Sequence, residues 1–148
     1  MLSPITDLEN IRKILQTSTS IAMVGLSPNN SRPSFQVADY LLRAGYNVIP
    51  VNPGHDEILG RRSFPDLSSI KGQVDIVDIF RRSKDVMPIV KDAIAIKAKV
   101  VWMQLGIINR EAARLAEESG LTVIMDRCIK IDHHDLLVGR SDNQLKVL

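Results

Sequence analysis

A doubly wound α/β fold is predicted, with a five-stranded parallel sheet between two layers of helices. Two observations predict it. Short apolar runs alternate along the chain with longer stretches whose apolar residues recur at helical spacing. The runs are also separated by room for a single helix each. Strands joined in that way lie parallel, because the crossover returns the chain to the same end of the sheet.

Taken in order, the first helix is expected from Leu8, with Thr6-Asp7 as its cap and Leu8, Ile11, Ile14 and Leu15 on its apolar face. The first strand covers 21–24 and ends at Gly25. Pro33 suits the first turn of the second helix, whose inner face is Phe35, Val37, Ala38, Leu41 and Leu42 and whose stop is Gly45. The second strand covers 47–51. Asn52-Pro53-Gly54 ends it, since proline donates no ladder hydrogen bond and glycine supplies a turn. The third strand covers 74–80. Ser83 is then expected to cap a helix in which Val86, Ile89, Val90, Ala93 and Ile94 face inward. A fourth strand over 100–105, a helix over 109–119 stopped by Gly120, and a fifth strand over 121–125 follow. A short helix or irregular tail closes the chain. The pattern is that of a Rossmann-like, three-layer domain. No repeat, low-complexity tract or linker interrupts it, so one domain over 1–148 is expected, with its core at about 8–137.

Composition narrows the function classes. A chain of 148 residues allows one well-filled core and not comfortably two. The formal net charge is only +2, too small for a strong field toward nucleic acid or a membrane, and neither is expected as a partner. Residues 1–7 lack the basic segment and apolar run of a signal peptide, and no apolar stretch approaches the ~20 residues that span a bilayer. Cys128 is the single cysteine, which rules out an intrachain disulfide and leaves a cysteine-based zinc site without support. A cytoplasmic setting is the default expectation.

In doubly wound sheets a ligand binds outside the carboxyl ends of the strands, near the point where the strand order reverses. The residues there are Gly25 to Arg32, Asn52-Pro53, Phe80-Arg81-Arg82, Gln104-Leu105-Gly106 and Asp126-Arg127-Cys128. Polar side chains and glycines therefore gather at one edge, in part because strands must end in something polar. Gly25 lets the backbone turn sharply and approach a ligand. Ser27, Asn30 and Ser31 offer donors, and the positive end of the following helix points at the loop. Arg32 is either a contact to phosphate or a solvated loop charge. The fingerprint G-x-G-x-x-G is absent, with Gly25 alone in the loop. An NAD site would place a carboxylate after the second strand, and this chain has Asn52, Pro53, Gly54 and His55. His55, Arg61 and Arg62 suit a ligand with a phosphorylated ribose, as in NADP or coenzyme A; His55 also has a plain reading as an exposed loop residue.

The segments 21–27, 48–53, 77–81, 102–107 and 125–128 together resemble the small single-domain CoA-binding proteins. These are similar in turn to the CoA-binding domain of the succinyl-CoA synthetase alpha subunit. The resemblance runs over about Leu8 to Leu137. It implies that the CoA phosphates meet the Gly25–Arg32 loop, that the adenosine lies beside Asn52-Pro53 and Phe80-Arg81, and that the pantetheine arm runs toward Gln104 and Gly106. The phosphorylated histidine of the synthetase lies in a second domain, which this chain does not match. His133-His134 are expected at the surface, and the synthetase reaction is not carried over.

No catalytic set is evident. Ser27 has no obvious histidine partner and no G-x-S-x-G elbow is present. Asp75 and Asp78 are expected as hydrogen-bonded structural groups, and Asp126 as the ion-pair partner of Arg127. No metal site is expected, and Trp102 is either core or a ligand-facing wall. Cys128, on the ligand edge, is either a buried small hydrophobe or a thiol near that of CoA. The expected function is a non-catalytic protein that binds CoA or an acyl-CoA as sensor or carrier. The alternatives are an NADP-dependent oxidoreductase and a subunit that supplies CoA to a partner enzyme.

Overall fold

The computed structural model describes residues 3–139. In chain order the elements are α1 (Leu8–Thr17), β1 (Ser20–Val24), α2 (Pro33–Arg43), β2 (Asn47–Val51), β3 (Glu57–Ile58), β4 (Arg61–Arg62), β5 (Ile76–Ile79), α3 (Val86–Ala95), β6 (Val100–Met103), α4 (Arg110–Glu118), β7 (Thr122–Ile124) and α5 (Ile129–His133). Five strands form one sheet in the order β2-β1-β5-β6-β7, all parallel.

Alternation of side chains across the pleat sorts the core into two halves. Ala22, Val24, Val77, Ile79, Val101, Met103 and Val123 face α3 and α4. Ile21, Met23, Ile76, Trp102 and Ile124 face α1, α2 and α5. Covered on both sides, β1, β5 and β6 are buried at every position, which is why they appear in sequence as unbroken apolar runs.

Local chemistry starts and stops the helices as the sequence requires. Asp7 accepts the amide of Glu9, Asn109 accepts that of Ala112, and Pro33 opens α2. Gly45 and Gly120, both at positive φ, follow the ends of α2 and α4. Ser83 departs from its expected role as a cap. It opens a 3₁₀ turn, and its Oγ instead accepts the amide of Ile108 at 2.9 Å, tying the β5 exit to the β6 exit. The small β3–β4 hairpin has no counterpart in the sequence expectation. It leads into Phe64, which bridges to Val51 and lies along the outer side of β2. No helix among the described residues is long and apolar enough to cross a membrane.

Candidate functional site

The strand order positions the site. From β1 the chain crosses to β2 on one side and then returns to β5 on the other, so the loops leaving β1 and β5 part to opposite faces and open a crevice. The two exits are pinned together by the Phe80 amide donating to Val24 O at 2.9 Å. Gly25 sits at this seam with φ +89°, and a Cβ there would lie 2.2 Å from the Phe80 carbonyl oxygen. The backbone that requires a glycine is therefore the protein's own, and no ligand is needed to explain it.

The loop after β1 organises itself. The Ser27 amide donates to Ser34 Oγ at 3.0 Å, the Asn29 amide to Ser27 Oγ at 3.1 Å, and the Ser31 amide and hydroxyl both to Asn29 Oδ1. Asn52 braces it from β2, giving its Nδ2 to Leu26 O at 2.9 Å while its Oδ1 accepts the Gly54 amide.

These loops line an open cavity of about 670 Å³. The β1 exit contributes Gly25, Ser27, Pro28 and Arg32, and the start of α2 contributes Pro33 and Ser34. From the β2 exit come Asn52 and His55, from the β5 exit Phe80, Arg81 and Arg82, and from the β6 exit Ile107. The ionisable lining is basic throughout: Arg32, His55, Arg81 and Arg82, with no carboxylate among the lining residues. Arg82 also reaches Asp85 at 3.1 Å in an exposed pair that leaves it largely solvated. Helix α2 begins at the cavity wall with Arg32 as an N-cap that makes no side-chain capping bond. The free first-turn amides and the helix dipole add to the positive character.

Seven of the residues singled out from sequence thus share one cavity: Gly25, Ser27, Arg32, Asn52, His55, Phe80 and Arg81. The others lie elsewhere. Asn30 and Ser31 are exposed on the outer part of the loop. Pro53 lines a smaller cavity of about 180 Å³ on the other face, which shares Arg81. Gln104 is buried, and its Oε1 accepts the Ile129 amide, so it anchors α5. Gly106 is exposed and donates its amide to Asp126 Oδ1 at 2.6 Å. Cys128 is half-buried at the start of α5 and packs against the apolar cluster on the α2 side. Pro28 and Arg82 belong to the expected strand-end set without having been picked as contacts, and Pro33, Ser34 and Ile107 were not singled out. Each adjoins one that was, and the missing signal was which way each side chain turns.

Four further expectations are corrected, and the alternative left open for Trp102 is decided. Arg127 pairs with Asp132 (2.7 and 2.8 Å) and not with its neighbour Asp126, whose carboxylate holds the Gly106 amide. The hydrogen bonds that Arg127 donates to Asp132 raise its guanidinium above its ordinary value. Asp75 is bonded as expected, to the Thr19 and Ser20 amides, but Asp78 is fully buried with no hydrogen-bond partner, and burial pushes its carboxyl well above the usual range. His133 is buried between Tyr40 and Tyr46, with Nδ1 2.8 Å from the Tyr40 hydroxyl, and burial lowers its pKa; of the adjacent pair, His134 is the one at the surface. Trp102 is core, donating Nε1 to Arg127 O. Arg61 bonds Val48 O and Asn47 Oδ1 at the start of β2, and Arg62 lies over the Phe64 ring, so neither lines the main cavity.

Fold and site together define a doubly wound α/β domain with a basic-lined cavity at its switch point. The chain matches the family described as "CoA binding domain" over residues 19–134, and it belongs to that family. It is 45% identical over 123 residues to the uncharacterized protein YneT of Bacillus subtilis (strain 168), covering 83% of this chain and 91% of that one. A hypothetical protein of Pyrococcus horikoshii OT3 superposes with a TM-score of 0.87 at 42% identity, over 93% of this chain and 98% of that one. An acetyl-coenzyme A synthetase of Ca. Korarchaeum cryptofilum, described as dinucleotide forming, superposes with a TM-score of 0.69 at 26% identity. There the match covers 81% of this chain but only 28% of the synthetase.

Proposed function

We propose that the cavity binds coenzyme A or an acyl-CoA, and that the chain works as a binding, sensing or carrying protein rather than a catalyst. The observation that carries this reading is the all-basic lining set against the uncapped start of α2. Coenzyme A presents a diphosphate and a ribose phosphate, and three arginines with His55 suit that number of charges. Asn52 argues against NAD: its side-chain oxygen and nitrogen are both engaged within the protein, and no carboxylate faces the cavity to receive ribose hydroxyls. The rival NADP reading called on Arg61 and Arg62, which line a separate cavity of about 350 Å³ beside β2 and not the one at the strand exits. A non-catalytic role is supported by Ser27, whose hydroxyl accepts the Asn29 amide and has no hydrogen bond to His55 among the described residues.

Thermal denaturation with CoA, NAD and NADP at equal concentration tests the ligand. CoA is expected to raise the melting temperature most, and Arg81→Glu is expected to abolish that rise. A larger rise with either nicotinamide cofactor overturns the reading. Hydrolysis of acetyl-CoA above background, lost in Ser27→Ala, would make the protein an enzyme.

A further inference from the structure

The loop between β6 and α4 differs from the other exits. Residues 104–109 carry three branched apolar side chains, Leu105, Ile107 and Ile108, where the β1 and β5 exits carry serines, asparagines and arginines. Leu105 is 65% exposed and Ile108 40% exposed, while Ile107 lines the cavity. The loop is not free to fold these side chains away. The Gly106 amide is held by Asp126 Oδ1, the Ile107 amide by Gln104 O, and the Ile108 amide by Ser83 Oγ. Asn109 Nδ2 is held by Ser83 O at 2.8 Å. A backbone fixed at this many points keeps apolar surface in water beside a site, which is unfavourable unless something covers it.

Two features limit what that cover is. Ile107 makes the apolar lip continuous with the basic cavity, so one molecule with phosphates in the cavity and an apolar group on the lip satisfies both. The lip is also three side chains wide, far short of the roughly 800 Å² per partner that a stable protein interface buries. We infer that the lip formed by Leu105, Ile107 and Ile108 holds an aliphatic acyl group, so that the site selects an acyl thioester over free coenzyme A. The inference rests on the proposed reading of the cavity as a CoA site.

The experiment is calorimetric titration with CoA, acetyl-CoA and octanoyl-CoA, on the wild type and on Leu105→Ser/Ile108→Ser. Burying several methylenes against the lip is expected to make octanoyl-CoA bind about tenfold tighter than CoA in the wild type, with acetyl-CoA close to CoA. In the double variant the advantage of octanoyl-CoA over CoA is expected to fall to about twofold or less. Equal affinity of the wild type for CoA and octanoyl-CoA overturns the inference while leaving the CoA reading intact, as does an advantage that survives in the variant. Sedimentation of the wild type as a dimer and of the variant as a monomer would assign the lip to a second copy and overturn it too. Failure of all three ligands to bind overturns the CoA reading, and this inference with it.

Discussion

At Gly25 two requirements coincide in one residue: a left-handed backbone and a Cβ position already filled by the Phe80 carbonyl. Gly25→Ala is expected to cost more than about 3 kcal/mol, since positive φ alone costs about 1–3 kcal/mol and the contact adds to it. Chemical denaturation checks this, and unchanged stability would mean that the seam relaxes easily. Asp78 gives a second test. A carboxyl whose pKa is raised on folding keeps a proton that the unfolded chain releases. Stability is therefore undiminished at acid pH, and is lost as pH climbs from the ordinary carboxylate range toward the raised value of Asp78. Asp78→Asn removes this titration, so the stability of the variant relative to wild type is expected to grow with pH from about pH 4 upward. A pH-independent difference in denaturation midpoints would show that Asp78 does not titrate in this way. Burial of Asp78 was legible in its apolar neighbours, but its lack of a partner was not, because that depends on what the surrounding elements fail to supply.

Among the elements, α5 depends most on long-range contacts. It is short, Ile129–His133, and is held by Gln104 Oε1 on the Ile129 amide and by the two-bonded Arg127–Asp132 pair. Asp132 is buried while Arg127 is one-third exposed, so Asp132→Ala is expected to destabilise the protein by about 1–3 kcal/mol, below the figure for a fully buried pair. Denaturation followed by Trp102 fluorescence reads this directly, because the indole donates to Arg127 O. Elements with strong local signals were legible in sequence: β1 and β6 through their apolar runs, α2 and α4 through Pro33 and Asn109. The ties that depend on distant residues were not. Ser83 has the chemistry of a cap, yet the Ile108 amide outcompeted that role. The β3–β4 hairpin, two residues per strand, carries too little periodicity to stand out.

For the whole molecule, ligand and stability are linked. A ligand present at a hundred times its dissociation constant adds about 2.7 kcal/mol to the native state, equivalent to roughly 5–10 °C in melting temperature for a domain of this size. Because Arg81 and Arg82 are exposed, the shift produced by CoA is expected to shrink as salt is raised. A salt-independent shift would mean that phosphates are not what the cavity grips. The location of the site was legible because topology alone sends a ligand to the strand exits. Its membership was only partly so, since the direction in which residues such as Gln104 and Ile107 turn is set by packing. The margins of the sheet carry a different consequence. Along β2, Phe64 exchanges backbone hydrogen bonds with Pro50 and Asn52, and at the far side the Ile5 amide donates to Val123 O at 2.8 Å. A bare parallel strand is a template for another chain, and these two short segments occupy the backbone groups that such a chain would seize. At the β7 margin the guard among the described residues is the Ile5 amide, so Ile5→Pro leaves Val123 O open and is expected to favour fibrillar self-assembly.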